Sequence, residues 1–156
     1  AEINFTVTTN RFLYDVQAAT AIVPMLEAVG FKVNFQTIEY ATQFAEVQRG
    51  NRGFYLHSRG NMMDPTAALV QMFETGVTNR IRYSNAEFDK LLSASRTEQD
   101  SEKRAQILRQ AIAIMEQDQP ALWLWKANNI YGMNVNKIAF KPTPHNRVSG
   151  VEITVK

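Results

Sequence analysis

The sequence predicts an α/β fold: a parallel sheet wound in β-α-β-α-β order, then a helical half, then returning strands. Two observations carry that expectation. Period-2 alternation and 3.6-residue periodicity take turns from Ile3 to His57. Beyond it, three stretches pair a capping residue with an apolar stripe at helical spacing. Alternating strands and helices bring successive strands side by side in parallel, with right-handed crossovers.

Ile3–Thr8 sets Ile3, Phe5 and Val7 on one face and reads as a strand. Thr9–Asn10 reads as a turn or N-cap. Phe12, Val16, Ala19, Val23 and Leu26 then mark one helix face, which Gly30 ends. Pro24 inside it costs a hydrogen bond and is expected to kink it. Phe31–Ile38 is a second strand, with Val33, Phe35 and Thr37 opposed to Lys32, Asn34 and Gln36. Thr42–Arg49 is a short helix stopped by Gly50, and Gly53–His57 a nearly all-apolar third strand. Asp64 and Pro65 open a helix that runs to about Thr75, with Gly76 after it. Ser84 and Glu87 have capping-box spacing before the stripe Phe88, Leu91, Leu92 and Ser95. Asp100 or Ser101 caps a third helix with Leu108, Ala111, Ile112 and Met115 inward, closed by Pro120. Ala121–Lys126, Asn129–Met133, Lys137–Phe140 and Val151–Lys156 are all strand-like, and Thr143–Gly150 reads as a loop.

Composition narrows the chemistry. The 156 residues suit one domain, and 45% hydrophobic content supports a core rather than disorder. The absence of cysteine excludes disulfides, thiolate metal sites and thiol catalysis. A net charge of +2, not gathered into a stripe, argues against a nucleic-acid partner. No apolar run approaches the roughly 20 residues of a membrane span, so no membrane insertion is expected. The chain does not open on a basic-then-apolar leader pattern.

The search for catalysis is sparse. His57 and His145 are isolated, without metal-ligand neighbours at helical spacing. No nucleophile elbow, zincin helix or phosphate loop is present, and Gly50 and Gly53 flank a turn, not a nucleotide cradle. No catalytic residue, metal or cofactor is therefore expected. If the chain were an α/β enzyme, His57 would be the candidate base.

Binding has more to show. Parallel sheets take ligands beyond the carboxyl ends of their strands. The loops there are Thr8–Arg11, Glu39–Tyr40 and Ser58–Asn61. In the last, Gly60 permits close backbone approach, and Arg59 offers a fork suited to a carboxylate or phosphate, unless it simply pairs with Asp64. Arg80 and Arg82 either extend a positive rim or stand exposed. Trp123 and Trp125 share a face if Ala121–Lys126 is a strand, forming either core or a stacking wall. Aromatics beside arginines also raise a single-stranded nucleic-acid reading, which the missing basic stripe disfavours.

The second half resembles a known family. Tyr83-Ser84-Asn85-Ala86-Glu87-Phe88-Asp89-Lys90-Leu91-Leu92 is similar to the signature YSNPEFDxLL of the family 5 extracellular solute-binding proteins. These are the oligopeptide, dipeptide, nickel and glutathione receptors of ABC importers. Ala28–Asn34, Asp64–Pro65, Arg96–Arg104 and Asp118–Met133 resemble further family segments in the same order. The resemblance implies a type II periplasmic-binding-protein-like lobe. Residues 1–133 would be the C-terminal ligand-binding lobe, and 134–156 a tail crossing back to an N-terminal lobe absent from this chain. It implies capture of a peptide-like or anionic small solute in an interlobe cleft and delivery to ABC permease subunits, with no covalent chemistry. The parent protein would be periplasmic or on the cell surface.

The ligand-binding positions expected are Arg59 and Gly60 from the strand-end loop, Trp123 as part of the aromatic wall, and, by the same resemblance, Asn61, Trp125, Asn10 and Arg11; the family often has an uncharged residue at the position of Arg59 and proline at that of Trp123. Asn61 stands where peptide binders carry an Asp that pairs with the peptide amine. With Arg59 two residues earlier, that exchange suits an anionic or zwitterionic solute.

Overall fold

The computed structural model describes residues 1–9, 11–51, 53–60, 62, 64–77, 80–143 and 148–156. The expected Asn10, Asn61 and His145 lie outside them.

The first half is the predicted wound sheet. Its elements are β1 (Glu2–Thr8), α1 (Asp15–Ala28), β2 (Lys32–Ile38), α2 (Tyr40–Gln48) and β3 (Phe54–Tyr55). The strands are parallel in the order β2-β1-β3. Central β1 is covered on both faces, as parallel sheets require. Phe5 and Val7 pack with Ala19 of α1, while Thr6 and Thr8 are also buried. On their side Gln43 of α2 reaches the Thr6 hydroxyl at 3.4 Å. The Phe5 ring lies 5.6 Å from Phe35 and 5.2 Å from Phe54.

Several boundaries differ from expectation, each for a local reason. α1 starts at Asp15, not directly after Asn10. The Asp15 carboxylate accepts the backbone N–H of Arg11 (2.9 Å), Phe12 (3.1 Å) and Val16 (2.8 Å). That holds residues 11–14 in a turn, with Tyr14 at φ 61°, so Phe12 leaves the helix stripe. α1 runs on through Pro24, which lies on its exposed face, where water can serve the freed carbonyl. α2 begins at Tyr40 because the Glu39 carboxylate accepts the Thr42 N–H at 3.1 Å. β3 is short: past Tyr55 the Leu56 N–H still reaches the Thr6 carbonyl, and then the chain leaves the sheet.

The helical half comprises α3 (Pro65–Phe73), α4 (Ala86–Thr97) and α5 (Ser101–Asp118). Its core is Phe73, Phe88, Leu92, Leu108, Ala111 and Met115. Asp64 caps α3 as expected, accepting the Thr66 N–H at 2.8 Å. Its ion-pair partner is Arg104 at 2.6 Å, not Arg59. Arg104 also donates to the Thr66 hydroxyl, which lies 3.3 Å from that of Ser95. One small polar cluster thereby ties the start of α3 to α4 and α5. Asp100 caps α5 by accepting the Lys103 N–H.

The α4 cap is Asn85, one residue beyond the expected Ser84. Its carbonyl accepts the N–H groups of Glu87 and Phe88. Its amide donates to Asp118 at 2.8 Å, and the Tyr83 hydroxyl donates to the same oxygen at 2.5 Å. The amide accepts from the helix through its oxygen and donates to the carboxylate through its nitrogen at the same time. The Tyr-Ser-Asn run is therefore a clip between the start of α4 and the end of α5. These hydrogen bonds, Tyr83's first, hold Asp118 below the usual carboxylate range. The clip is thus in place above pH 3.8 and weakens as pH falls below it. Tyr83→Phe is expected to cost about 1 kcal/mol, and Asp118→Ala to lower the urea midpoint further, with an unchanged m-value in both.

Two other expectations need correction. Ile112 is exposed, because α4 covers only the Leu108, Ala111 and Met115 edge of α5. Residues 121–126 and 129–133 are not strands. They pair with no sheet edge among the described residues, and β-propensity without a neighbouring strand does not hold a chain extended in a ladder. Leu122, Trp123, Leu124, Trp125 and Ile130 are exposed. β4 (Ile138–Phe140) and β5 (Ile153–Val155) pair antiparallel as a separate two-stranded sheet. The total accessible surface is 10897 Å², against about 7,900 Å² for a compact monomer of this mass. Among the described residues no helix is long and apolar enough to cross a membrane.

Candidate ligand-binding site at the strand ends

Parallel pairing puts the carboxyl ends of β1, β2 and β3 on one edge of the sheet. Four short stretches converge there: the Arg11–Phe12 turn, the first turns of α2, the Tyr55–His57 exit from β3, and Arg80 from the connection between α3 and α4. Together they bound a small cleft of about 20 Å³, room for one or two water-sized groups.

Its walls are aromatic and its charges positive. The Arg11 guanidinium lies 4.4 Å from the Tyr40 ring centroid and 5.3 Å from that of Phe12. The Arg80 guanidinium lies 5.2 Å from the Phe44 ring. Ring faces at these distances hold cations in place without neutralising them. Tyr40 and Phe44, one helical turn apart, face each other at 5.9 Å. The Tyr55 hydroxyl donates to the Arg80 carbonyl at 2.6 Å and so anchors the backbone that carries this arginine. Burial pushes the Tyr55 phenol up. Removing that hydroxyl in Tyr55→Phe is expected to lower stability by about 1 kcal/mol, read as a shift in urea midpoint.

His57 sits within this positive group. Its ring meets Phe12 edge-on at 6.4 Å and Tyr55 at 6.1 Å. Desolvation first, then the charges of Arg80, Arg59 and Arg11, bring its pKa from 6.5 down to about 4. His57 as a whole residue is exposed, which limits the size of the depression and leaves its sign. Since the folded value lies below the unfolded one, the neutral imidazole favours the fold above pH 6.5. That contribution declines as pH drops from 6.5 toward 4. In an NMR titration the His57 ring signals are expected to move with a midpoint well below 6.5.

Arg11 stands beside the cleft, its guanidinium on the Tyr40 ring that lines it. Arg59 is exposed, and its charge reaches His57. Gly60 is exposed, with open space where a Cβ would stand. Trp123 and Trp125 are placed elsewhere. Trp123 rests on Phe73 at 5.6 Å, beside an open groove of about 270 Å³ lined by Leu69, Ile112, Met115 and Glu116. Trp125 is exposed on the stretch after α5. Arg82 turns to the far end of α2, its guanidinium filling the space beside Gly50, so it shares no rim with Arg80.

Tyr40 and Phe44 were not among the expected site residues. Their signal was an aromatic pair at i, i+4 at the end of a strand. It was hidden because the periodicity started the helix at Thr42, which left Tyr40 in the preceding loop.

Models of known protein families and curated proteins give no match to the chain. Solved structures do. The oligopeptide-binding protein AppA from Bacillus subtilis, in complex with a nonapeptide, superposes with a TM-score of 0.77 at 19% identity, covering 99% of this chain and 32% of that one. A dipeptide-binding protein from Pseudoalteromonas sp. SM9913, in complex with Met-Leu, gives 0.69 at 18%, covering 76% of this chain and 25% of that one. DppA from Helicobacter pylori, an ABC transporter-associated periplasmic binding protein in complex with the peptide STSA, gives 0.67 at 18%, covering 76% and 24%. The chain thus spans between about a quarter and a third of the length of these proteins. At this identity the likeness speaks for architecture, and the chain has the periplasmic-binding-protein-like α/β fold of these peptide-binding proteins.

Proposed function

We propose that this chain is the ligand-binding C-terminal lobe of a family 5 solute receptor serving an ABC importer. On this reading it takes a peptide-like or anionic small solute at the strand ends and presents it, with a second lobe, to the permease. The parent acts in the periplasm or at the cell surface and performs no covalent chemistry. The observation that carries the reading is the convergence of Arg11, Arg59, Arg80 and aromatic walls on the carboxyl edge of a parallel sheet. That is where such sheets bind ligands. The fold is one in which solved relatives hold peptides.

The open surface fits the same reading. Leu122, Trp123, Leu124, Trp125, Ile130 and Val135 are exposed together, as expected of a face that packs on another lobe. Residues 1–133 then form the lobe, and 134–156 the tail that returns to its partner.

A thermal-shift screen of the chain with di- to nonapeptides and small anionic solutes tests the proposal. A solute at about ten times its Kd adds about 1.4 kcal/mol, which raises Tm by roughly 3–6 °C for a chain of this size. Half a cleft binds weakly, so millimolar concentrations are needed. No saturable shift with any peptide or anion would overturn the solute-binding reading.

A further inference from the structure

Independently of any solute, we infer that the face around Trp123 and Trp125 joins two copies of this chain across a twofold axis, with Trp125 of each copy entering the groove beside Trp123 of the other.

The groove belongs to the helical half and shares no residue with the strand-end cleft. Leu69, Ile112, Met115, Glu116 and Trp123 line it, and its volume is about 270 Å³. Met115 is buried, whereas Ile112 and Trp123 are 43% and 58% exposed. Leu122, Leu124 and Trp125, in the stretch that follows α5, are exposed as well. A run of apolar side chains beside an open groove marks an interaction surface. The chain exposes 10897 Å², about 3,000 Å² beyond a compact monomer of its mass. A stable dimer needs about 800 Å² from each copy, well within that excess.

A twofold interface is self-complementary, so the knob and the hole must lie side by side on one face. Two residues of chain span at most about 7 Å, which keeps Trp125 next to the groove that Trp123 lines. An axis passing between the two sets each Trp125 into the opposite groove. Tryptophan is among the side chains that dominate interface energetics, and burying one removes about 150–250 Å² from water.

Charge favours a second copy as the occupant. Glu116 stands at the groove and Lys126 directly follows Trp125, and both are exposed. Neither enters an ion pair among the described residues. Seating Trp125 in the groove brings Lys126 to Glu116 of the other copy, and the axis repeats the pair. On the solute-receptor reading a second lobe takes the same face, so the two occupants compete for it.

Sedimentation velocity of the whole chain, from about 1 µM to about 1 mM, tests the assembly. The mass is expected to double and reach a plateau, with a midpoint in the micromolar range, and Tm to rise with concentration. Trp125→Ala is expected to weaken association about tenfold or more. The residue is exposed, so the variant should fold, which its backbone NMR spectrum checks. Glu116→Lys and Lys126→Glu are each expected to weaken association about fivefold, because each reversal sets like charges together twice across the axis. Combining the two reversals restores both pairs and is expected to bring the affinity back to within about threefold of the parent chain. A chain that stays monomeric at every concentration would overturn the dimer and leave the face to a second lobe. A mass that grows past two copies without a plateau, association unchanged in Trp125→Ala, or a double reversal as weak as either single one would each overturn it too.

Discussion

Phe88→Ala is expected to unfold the helical half of the chain while the β1, β2 and β3 amides stay protected. Phe88 is fully buried at the centre of the α3–α5 core, its ring edge-on to Tyr83 at 5.5 Å. Truncating such a phenylalanine costs about 3–5 kcal/mol. Small domains hold only about 5–15 kcal/mol in total, and a chain exposing 10897 Å² sits toward the lower end. The two cores share no residue: one is Phe5, Val7 and Ala19 with their neighbours, the other the six helical positions. The contacts that join the halves are light, among them Tyr55 on the Arg80 carbonyl, the Arg80 guanidinium on the Phe44 ring and the Arg82 guanidinium against Gly50. Stability should therefore divide into two cooperative units. Hydrogen exchange in Phe88→Ala is expected to show α4 and α5 amides exchanging fast and β1 amides slow. Phe5→Ala should give the mirror result. Equal loss of protection in both halves would show one cooperative core instead.

How far the sequence spoke for the fold depends on what each residue answers to. β1, β2 and the cores of α3, α4 and α5 were legible because their apolar period matches the face they bury. The start of α1 was not. Its stripe reached back to Phe12, but the Asp15 carboxylate captures the N–H groups of Arg11 and Phe12 and makes a turn of them. Periodicity is blind to such a bond. Residues 121–126 failed in the opposite sense: the propensity for strand is there, but a strand exists only in a ladder, and the described residues offer none. Of the candidate site, topology named the Thr8–Arg11 loop, and the resemblance singled out Arg11 within it. Arg80 was visible only as a rim cation, since the Tyr55 hydrogen bond that brings its backbone to the cleft joins residues 25 positions apart. Trp123 belongs to the helical half because its stretch leaves α5 over Phe73.

Asp15→Ala tests whether the turn that shapes the site also supports the fold. Asp15 is 5% exposed as a residue, its carboxylate bonded to the backbone of its own loop. Burial alone would push its pKa up, but the N–H groups of Phe12, Arg11 and Val16 outweigh that and hold it below the ordinary 3.8. Its contribution is therefore complete above pH 3.8 and lost as pH falls below it, a lower window than that of His57. Removing the carboxylate strands these donors and is expected to cost about 2 kcal/mol, seen as a lower urea midpoint at neutral pH. The difference from the parent chain should shrink in acid. Asp15→Asn, which keeps one oxygen, should recover part of it. The same substitution frees Arg11 from the cleft edge and lifts the Phe12 ring from His57. Both changes favour the imidazolium, one by removing a like charge and one by admitting water. The His57 midpoint should consequently rise from about 4 toward 6.5 in a variant that remains folded. A midpoint that stays put while stability falls would separate the two roles, leaving Asp15 as a helix cap with no hold on the site.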